Sequence, residues 1–163
     1  MTSILKVSEI QDPTNSNTAL SIDSSGNIAT GGRIDAGTSV YAQGSHSTPN
    51  PTGLITIDIR QLMSGGAQFT DSDTAIQVPV DGLYMIHYSV LGNSGSGNFQ
   101  IRVQKNGSDV GSSWTQDTNS SNDGVSKTIL QVLQANDKIT FVVADGASHG
   151  NSQFNNFFVV KLG

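Results

Sequence analysis

The stretch AIQVPVDGLYMIHYSV, Ala75 to Val90, decides how the chain is read. Ile76, Val78 and Val80 alternate with Gln77 and Pro79. Asp81-Gly82 breaks the run, and Tyr84, Ile86, Tyr88 and Val90 then alternate with Met85, His87 and Ser89. Period two puts successive side chains on opposite faces, so each half reads as a half-buried strand. Pro79 removes a ladder donor and belongs at a strand end or edge. Gly82 suits the corner between the two strands.

Outward from this stretch the same pattern recurs. Ile55, Ile57 and Ile59 predict a strand over Leu54–Arg60, and Ser39–Ala42 predicts an earlier one. Leu62–Ala67 reads as a turn region around Gly65-Gly66, with a brief pairing at Gln68-Phe69. Phe99, Ile101 and Val103 predict a strand that closes on Asn106-Gly107, a strong hairpin signal. Val110–Trp114 would return from it. Val125–Leu133, the strand through Ile139, Phe141 and Val143, and Phe154–Leu162 complete the set. In the last, Phe158, Val160 and Leu162 alternate. Many short strands at this spacing predict an all-β antiparallel sandwich.

Antiparallel strands reverse at every turn, so alternate connections share an end. The polar loops 92–98, 115–124 and 144–153 should therefore cluster at one end. The short turns at 106–107 and 134–137 should lie at the other, beside the C-terminus.

Residues 1–36 read differently. Ile4, Leu5, Val7 and Ile10 form a short apolar patch, and Leu20, Ile22 and Ile28 flank a turn at 24–27. This predicts a small hairpin on an extended arm, joined through Gly31-Gly32 to a head over 37–163. A lone hairpin is marginal in water, so the arm should be ordered by other chains or by a surface. Its seven apolar residues are the candidate docking set.

Composition narrows the function classes. Hydrophobic residues make up 35% and charged residues 13%, with Gly, Ser, Thr, Asn and Asp filling the difference. A net charge of −5 disfavours a nucleic-acid partner and an anionic membrane surface. No cysteine is present, which removes disulfides, thiolate zinc sites and cysteine nucleophiles. No apolar run approaches a membrane span, and MTSILKVSEIQ lacks the basic-then-apolar plan of a secretory signal. The expectation is a protein made in the cytoplasm and later assembled into something larger.

Catalytic chemistry has little support. His46, His87 and His149 form no metal-ligand spacing, and no Gly-x-Ser-x-Gly occurs. Asp71, Asp73, Asp117, Asp123 and Asp145 are possible calcium ligands from loops, but 117–124 departs from calcium-loop spacing, and a solvated loop takes precedence. The expectation is no enzyme and no cofactor. Trp114 is the only tryptophan, and both packing and stacking on a sugar stay open for it. The candidate distal-loop binding residues are Asn93, Ser96, Trp114, Asp117, Asn119, Asp123, His149 and Asn151.

Several of these motifs stand together in a known order. Ile76-x-Val-Pro-x-x-Gly-x-Tyr84 is followed by Ile86 and Tyr88. Val103-x-Lys-Asn-Gly107 comes next, then Leu133-x-x-Asn-Asp137 with Ile139 and Phe141, then Phe154-Asn-Asn-Phe157. The stretch Phe69–Gly163 thereby resembles the C1q/TNF-like jelly roll. Asn136 and Asn156 stand where that family usually has Gly, a mild change because Asn tolerates left-handed backbone best after Gly. The resemblance implies a homotrimer with aromatic and aliphatic residues along its axis. Tyr84, Ile86, Tyr88, Phe141, Phe158 and Val160 are the candidate core or axis residues.

The arm carries a second resemblance. Ile4-Leu-Lys-Val7, Ile10-Gln-Asp12 and Leu20-Ser-Ile-Asp-Ser-Ser-Gly-Asn-Ile28 look like segments of virion structural proteins of tailed bacteriophages, especially cyanophages. The two resemblances together imply a capsid decoration, or cement, protein on the virion surface, with the major capsid protein as partner. Its loops would be available for host recognition. The alternative they imply is a tail-fibre or tailspike tip binding a host-surface glycan.

Overall fold

A computed structural model describes residues 9–11, 18–22, 28–29, 39–49, 51–93, 98–118 and 124–162. The chain divides into two compact units, Met1–Thr38 and Ser39–Gly163. In the first, β1 (Glu9–Gln11), β2 (Thr18–Ile22) and β3 (Ile28–Ala29) form an antiparallel sheet in that order. Ile22 faces Ile28 across the β2–β3 pair, the hairpin that the sequence predicts. The backbone at Ile10, Leu20, Ile22 and Ile28 lies in these strands, whereas Ile4, Leu5 and Val7 lie outside the described residues.

The second unit is a sandwich of two antiparallel sheets. Its strands begin with β4 (Tyr41–Ser45), β5 (Gly53–Leu54), β6 (Ile59–Ser64), β7 (Gln68–Thr70) and β8 (Ala75–Gln77). They continue with β9 (Gly82–Leu91), β10 (Phe99–Lys105), β11 (Ser108–Asp109) and β12 (Thr115–Asp117). The last are β13 (Gly124–Leu133), β14 (Lys138–Asp145) and β15 (Asn155–Lys161). One sheet has five strands in the order β13-β9-β15-β4-β6. The other has seven, in the order β11-β10-β14-β8-β7, with β12 also pairing β10 and β5 pairing β14. Among the described residues the only helix is one 3-10 turn, Ser152–Phe154.

Between the sheets lies one core. Tyr84, Ile86, Tyr88 and Val90 point into it from β9, Ile101 and Val103 from β10, and Phe141 from β14. The Phe141 ring stands 4.8 Å from that of Phe157 and edge-on to Tyr88. The tyrosines also satisfy polar groups there. Tyr88 Oη donates to the Ser113 carbonyl at 2.6 Å and lies 2.6 Å from Thr115 Oγ1. A side chain of one sheet is thereby tied to chain paired with the other. Burial pushes the Tyr88 phenol up to about 12.

The Asp-Gly corner turns out to be a change of sheet. β8 belongs to the seven-stranded sheet and β9 to the five-stranded one. The strand ends at Gln77, so Val80 is exposed in the crossing rather than buried in a strand. Tyr84 Oη donates to the Val80 carbonyl at 2.8 Å, and Asp81 accepts from the Ala135 N–H at 2.7 Å. These bonds replace the ladder that Pro79 interrupts.

A second crossing corrects the expected strand at Leu54–Arg60. Gly53 and Leu54 pair with Val143 and Val142, while Ile59 onward pairs with β4 in the other sheet. Ile55 and Ile57 are fully buried in the passage between, and Ile59 is half-buried. Alternation persists because the passing chain still has an inner and an outer side. Its N–H groups bond singly, Ile55 to the Phe141 carbonyl and Ile57 to that of Asp73. A Cβ at Gly44 would stand 2.4 Å from Ile57 Cγ2 and 2.7 Å from the Ile59 carbonyl, so the crossing requires glycine there.

Four further boundaries differ. The first head strand runs to Ser45, and β6 extends to Ser64 before the turn at Gly65-Gly66. The return from the Asn-Gly hairpin is only Ser108–Asp109, and Val110–Trp114 bends away from the ladder. Thr115–Asp117, expected in a loop, then rejoins β10 opposite Phe99–Ile101. Ser113 Oγ, bonded to both the N–H and the carbonyl of Val103, fills the gap in the ladder.

Candidate functional site

The loops and turns segregate to opposite ends of the sandwich. Gly124 pairs with Leu91, Gly92 bridges Ser148, and the Asn93 N–H donates to Ala147 at 2.8 Å. Asn106 meets Lys138 at the other end, where Leu162 donates to Leu83 and Lys161 to Val40. The head chain therefore enters at the turn end, opposite the loops.

Asn155 organises the loop end, and sequence reasoning missed it. This buried residue donates through Nδ2 to the His149 and Asn151 carbonyls at 2.7 and 2.8 Å. Its Oδ1 accepts from the Leu91 N–H at 3.2 Å. One amide thus holds two connections with groups of both signs. Its only sequence signal is a polar residue in an inward phase of β15. His46 is buried beside Phe157, and its Nδ1 donates to the Thr48 carbonyl at 2.9 Å. Burial holds its pKa below the ordinary value, against the opposing pull of that bond and of Asp58.

Of the candidate distal residues, Asn93, His149 and Asn151 come together here. The His149 ring stands edge-on to Phe154 at 5.4 Å, and Asn151 accepts from the Gln153 N–H. Asp117 sits opposite Phe99, where β10 leaves this end. Ser96, Asn119 and Asp123 lie outside the described residues. Trp114 departs from expectation. It stands on the flank of the seven-stranded sheet, because β12 rejoins β10 and carries it away from the loops.

Among the described residues no three His, Asp or Glu side chains gather as a metal site. Asp71 pairs with Lys138 at 2.7 Å and Asp73 with Arg60, so two of the calcium candidates already face cations.

The turn end is closed by Asp137. Its carboxylate accepts from Asn106 Nδ2 at 2.6 Å and the Gln134 N–H at 2.7 Å, with Lys105 Nζ 2.9 Å away. Burial works against its charge, but these three donors prevail and lower its pKa. Asn106, Gly107 and Asn136 all take positive φ there, as their turns require.

The outer face of the five-stranded sheet is different in kind. Phe158 and Val160, expected in the core or on an axis, point outward, and Phe157 and Val159 fill the core instead. Register aligns Leu130, Met85, Val160 and Tyr41 in one row across four strands. The next row runs Thr128, His87, Phe158, Gln43 and Leu62. His87 stacks on Phe158 at 4.7 Å and meets Thr128 Oγ1 at 2.9 Å. Burial lowers its pKa. Toward the loops the face turns polar, through Ser126, Ser89 and Asn156. An apolar groove runs between β4 and β15, lined by Tyr41, Leu62, Phe158 and Val160.

No protein-family model matches the sequence, and no curated protein does. Among solved structures, 257 chains match. One is the crystal structure of pika GITRL, a TNF-family ligand, with a TM-score of 0.53 at 17% identity. The match covers 77% of this chain and 97% of that one. The fold is a C1q/TNF-like jelly roll. At this identity the likeness is one of architecture, and a fold so widely shared singles out no activity. What distinguishes this jelly roll is the placement of its own residues: an apolar sheet face, an amide-braced loop end and an isolated tryptophan on the flank.

Proposed function

We propose that the protein is a homotrimeric virion structural protein. In this reading it is a phage capsid decoration, or cement, protein docked by its N-terminal unit. The observation that carries the assembly is the outer face of the five-stranded sheet. Leu62 and Leu130 there are 55% and 59% exposed, with Met85, Phe158 and Val160 half-buried between them. A contiguous apolar face of this kind marks a protein contact, and a second and third copy of the head are its occupants. The likeness of the arm segments to tailed-phage virion proteins supports a virion location. The entry of the chain at the turn end supports a head whose loops face away from the docking surface. Binding energy from each docked trimer would stabilise the capsid by mass action.

The braced polar loops favour one second reading, a tail-fibre or tailspike tip whose loop end meets a host receptor. Copy number separates the two. Quantitative mass spectrometry of purified particles, referenced to the major capsid protein, should give a ratio near one or a simple fraction of it. A handful of copies would move the protein to the tail. A monomer in sedimentation velocity would remove the trimer from both.

A further inference from the structure

We propose that the outer face of the seven-stranded sheet carries a saccharide platform centred on Trp114, which takes a chain of neutral hexoses. This inference is independent of the trimer, which would use the other sheet, and of the virion location.

Trp114 leaves 42% of its surface to solvent. An exposed tryptophan is costly as mere packing, yet this one is held in place. The Arg102 guanidinium lies over the indole, 4.9 Å from its centroid. Arg102 forms an ion pair with Asp109, Nε to Oδ1 3.0 Å, outside hydrogen-bond alignment. Gln104 Nε2 donates to the same oxygen at 2.8 Å. Lys127 Nζ donates to the Trp114 carbonyl at 3.2 Å, which holds the backbone as well. The ring is therefore oriented before any ligand arrives, and binding would not have to order it.

Two carboxamides flank this assembly. Gln100 and Gln116 are direct cross-strand partners. Gln100 and Arg102 occupy consecutive outward positions of β10, and such positions stand about 7 Å apart. Neither glutamine side chain bonds to another group among the described residues. Each offers donors and an acceptor together, the combination that sugar hydroxyls require.

The charge and shape select the ligand. Arg102 and Asp109 cancel locally and the Lys127 ammonium is turned to the Trp114 carbonyl, so the ring and its two amides present no charge that would select an ion. A nucleic-acid base would stack as well, but its phosphates would meet a chain of net charge −5. A pyranose presents an apolar C–H face to an aromatic ring and a rim of hydroxyls to the amides around it.

The test uses the intact chain. It holds one tryptophan, so all indole emission comes from this platform. Cellohexaose, maltohexaose and chitohexaose are titrated while emission is followed. At least one should produce a saturable shift. The double variant Gln100→Ala, Gln116→Ala should weaken that binding by about fivefold or more, the loss of at least one net hydrogen bond. Its urea midpoint should stay unchanged. Trp114→Phe should bind more weakly by ligand-observed NMR while it folds normally. No saturable change with any of the three sugars overturns the proposal. So does full affinity in the double variant, which would put the sugar elsewhere. Copy number and sedimentation report on the proposed function and are untouched by either outcome.

Discussion

Leu130, Met85, Val160 and Tyr41 follow one another across the outer face of the five-stranded sheet. Across the outer face of the seven-stranded sheet the corresponding row runs Asp109, Gln104 and Thr140. Both rows come from strands with the same period-two pattern, packed on the same core. Their difference separates two kinds of surface. Apolar rows lose water-exposed area when another protein covers them, at about 25 cal/mol per Å². Polar rows gain little from such cover and suit a small, hydroxylated ligand or water.

The sharpest way to break this comparison is to charge one face at a time. Met85→Glu would put three carboxylates into the proposed trimer contact. Its association should weaken by about a hundredfold or more, because an unpaired charge is expensive to bury. Gln104→Glu, on the other face, should leave the sedimentation coefficient unchanged. If both variants behave alike, the two faces are equivalent and the apolar row is not the contact.

A smaller effect tests how the faces are held apart. Tyr88→Phe removes the hydroxyl that reaches from β9 to Ser113 and Thr115 and strands a buried carbonyl. The expected loss is about 1–3 kcal/mol in urea denaturation. Asp137→Ala acts at the turn that joins β13 to β14, and so one sheet to the other. It removes the acceptor for Asn106, Gln134 and Lys105, at about 1 kcal/mol by the same measurement.

Acidification gives the smallest effect. The folded pKa values of His46 and His87 lie below 6.5, chiefly through burial. The unfolded chain therefore binds these protons first as pH falls, so stability is complete above 6.5 and declines from there toward the folded values. Urea midpoints on either side of 6.5 should show the decline, and His87→Gln should reduce its slope. A trimer that covers His87 should also dissociate more readily below 6.5, and an assembly indifferent to pH would argue against that cover.

The Asn106-Gly107 hairpin, the turn at Asn136 and the loop and turn ends were legible because each depends on local backbone geometry or on strict reversal of direction. The loop-end brace was not. Asn155 works through partners at Leu91 and His149, and nothing in its own neighbourhood announces them. Trp114 was legible as a candidate but misplaced, since the short pairing of Thr115–Asp117 with β10 depends on Ser113 filling a gap one strand away.

Alternation and turn chemistry were determined by the sequence alone, because side-chain period and left-handed turns are properties of a few adjacent residues. The assignment of strands to sheets was decided by tertiary structure. Ile55 and Ile57 keep their alternation through the passage from one sheet to the other, and Tyr84, Ile86 and Tyr88 resume that of Ile76 and Val78 beyond the break at Asp81-Gly82. The direction of β15 was decided there too. Phe157 and Val159 are as apolar as Phe158 and Val160, so both phases of the strand read as core, and a one-residue shift exchanges them. Only the space beside Tyr88 on the neighbouring strand and against Phe141 of the facing sheet selects Phe157 for the interior. It thereby leaves Phe158 on the outer face.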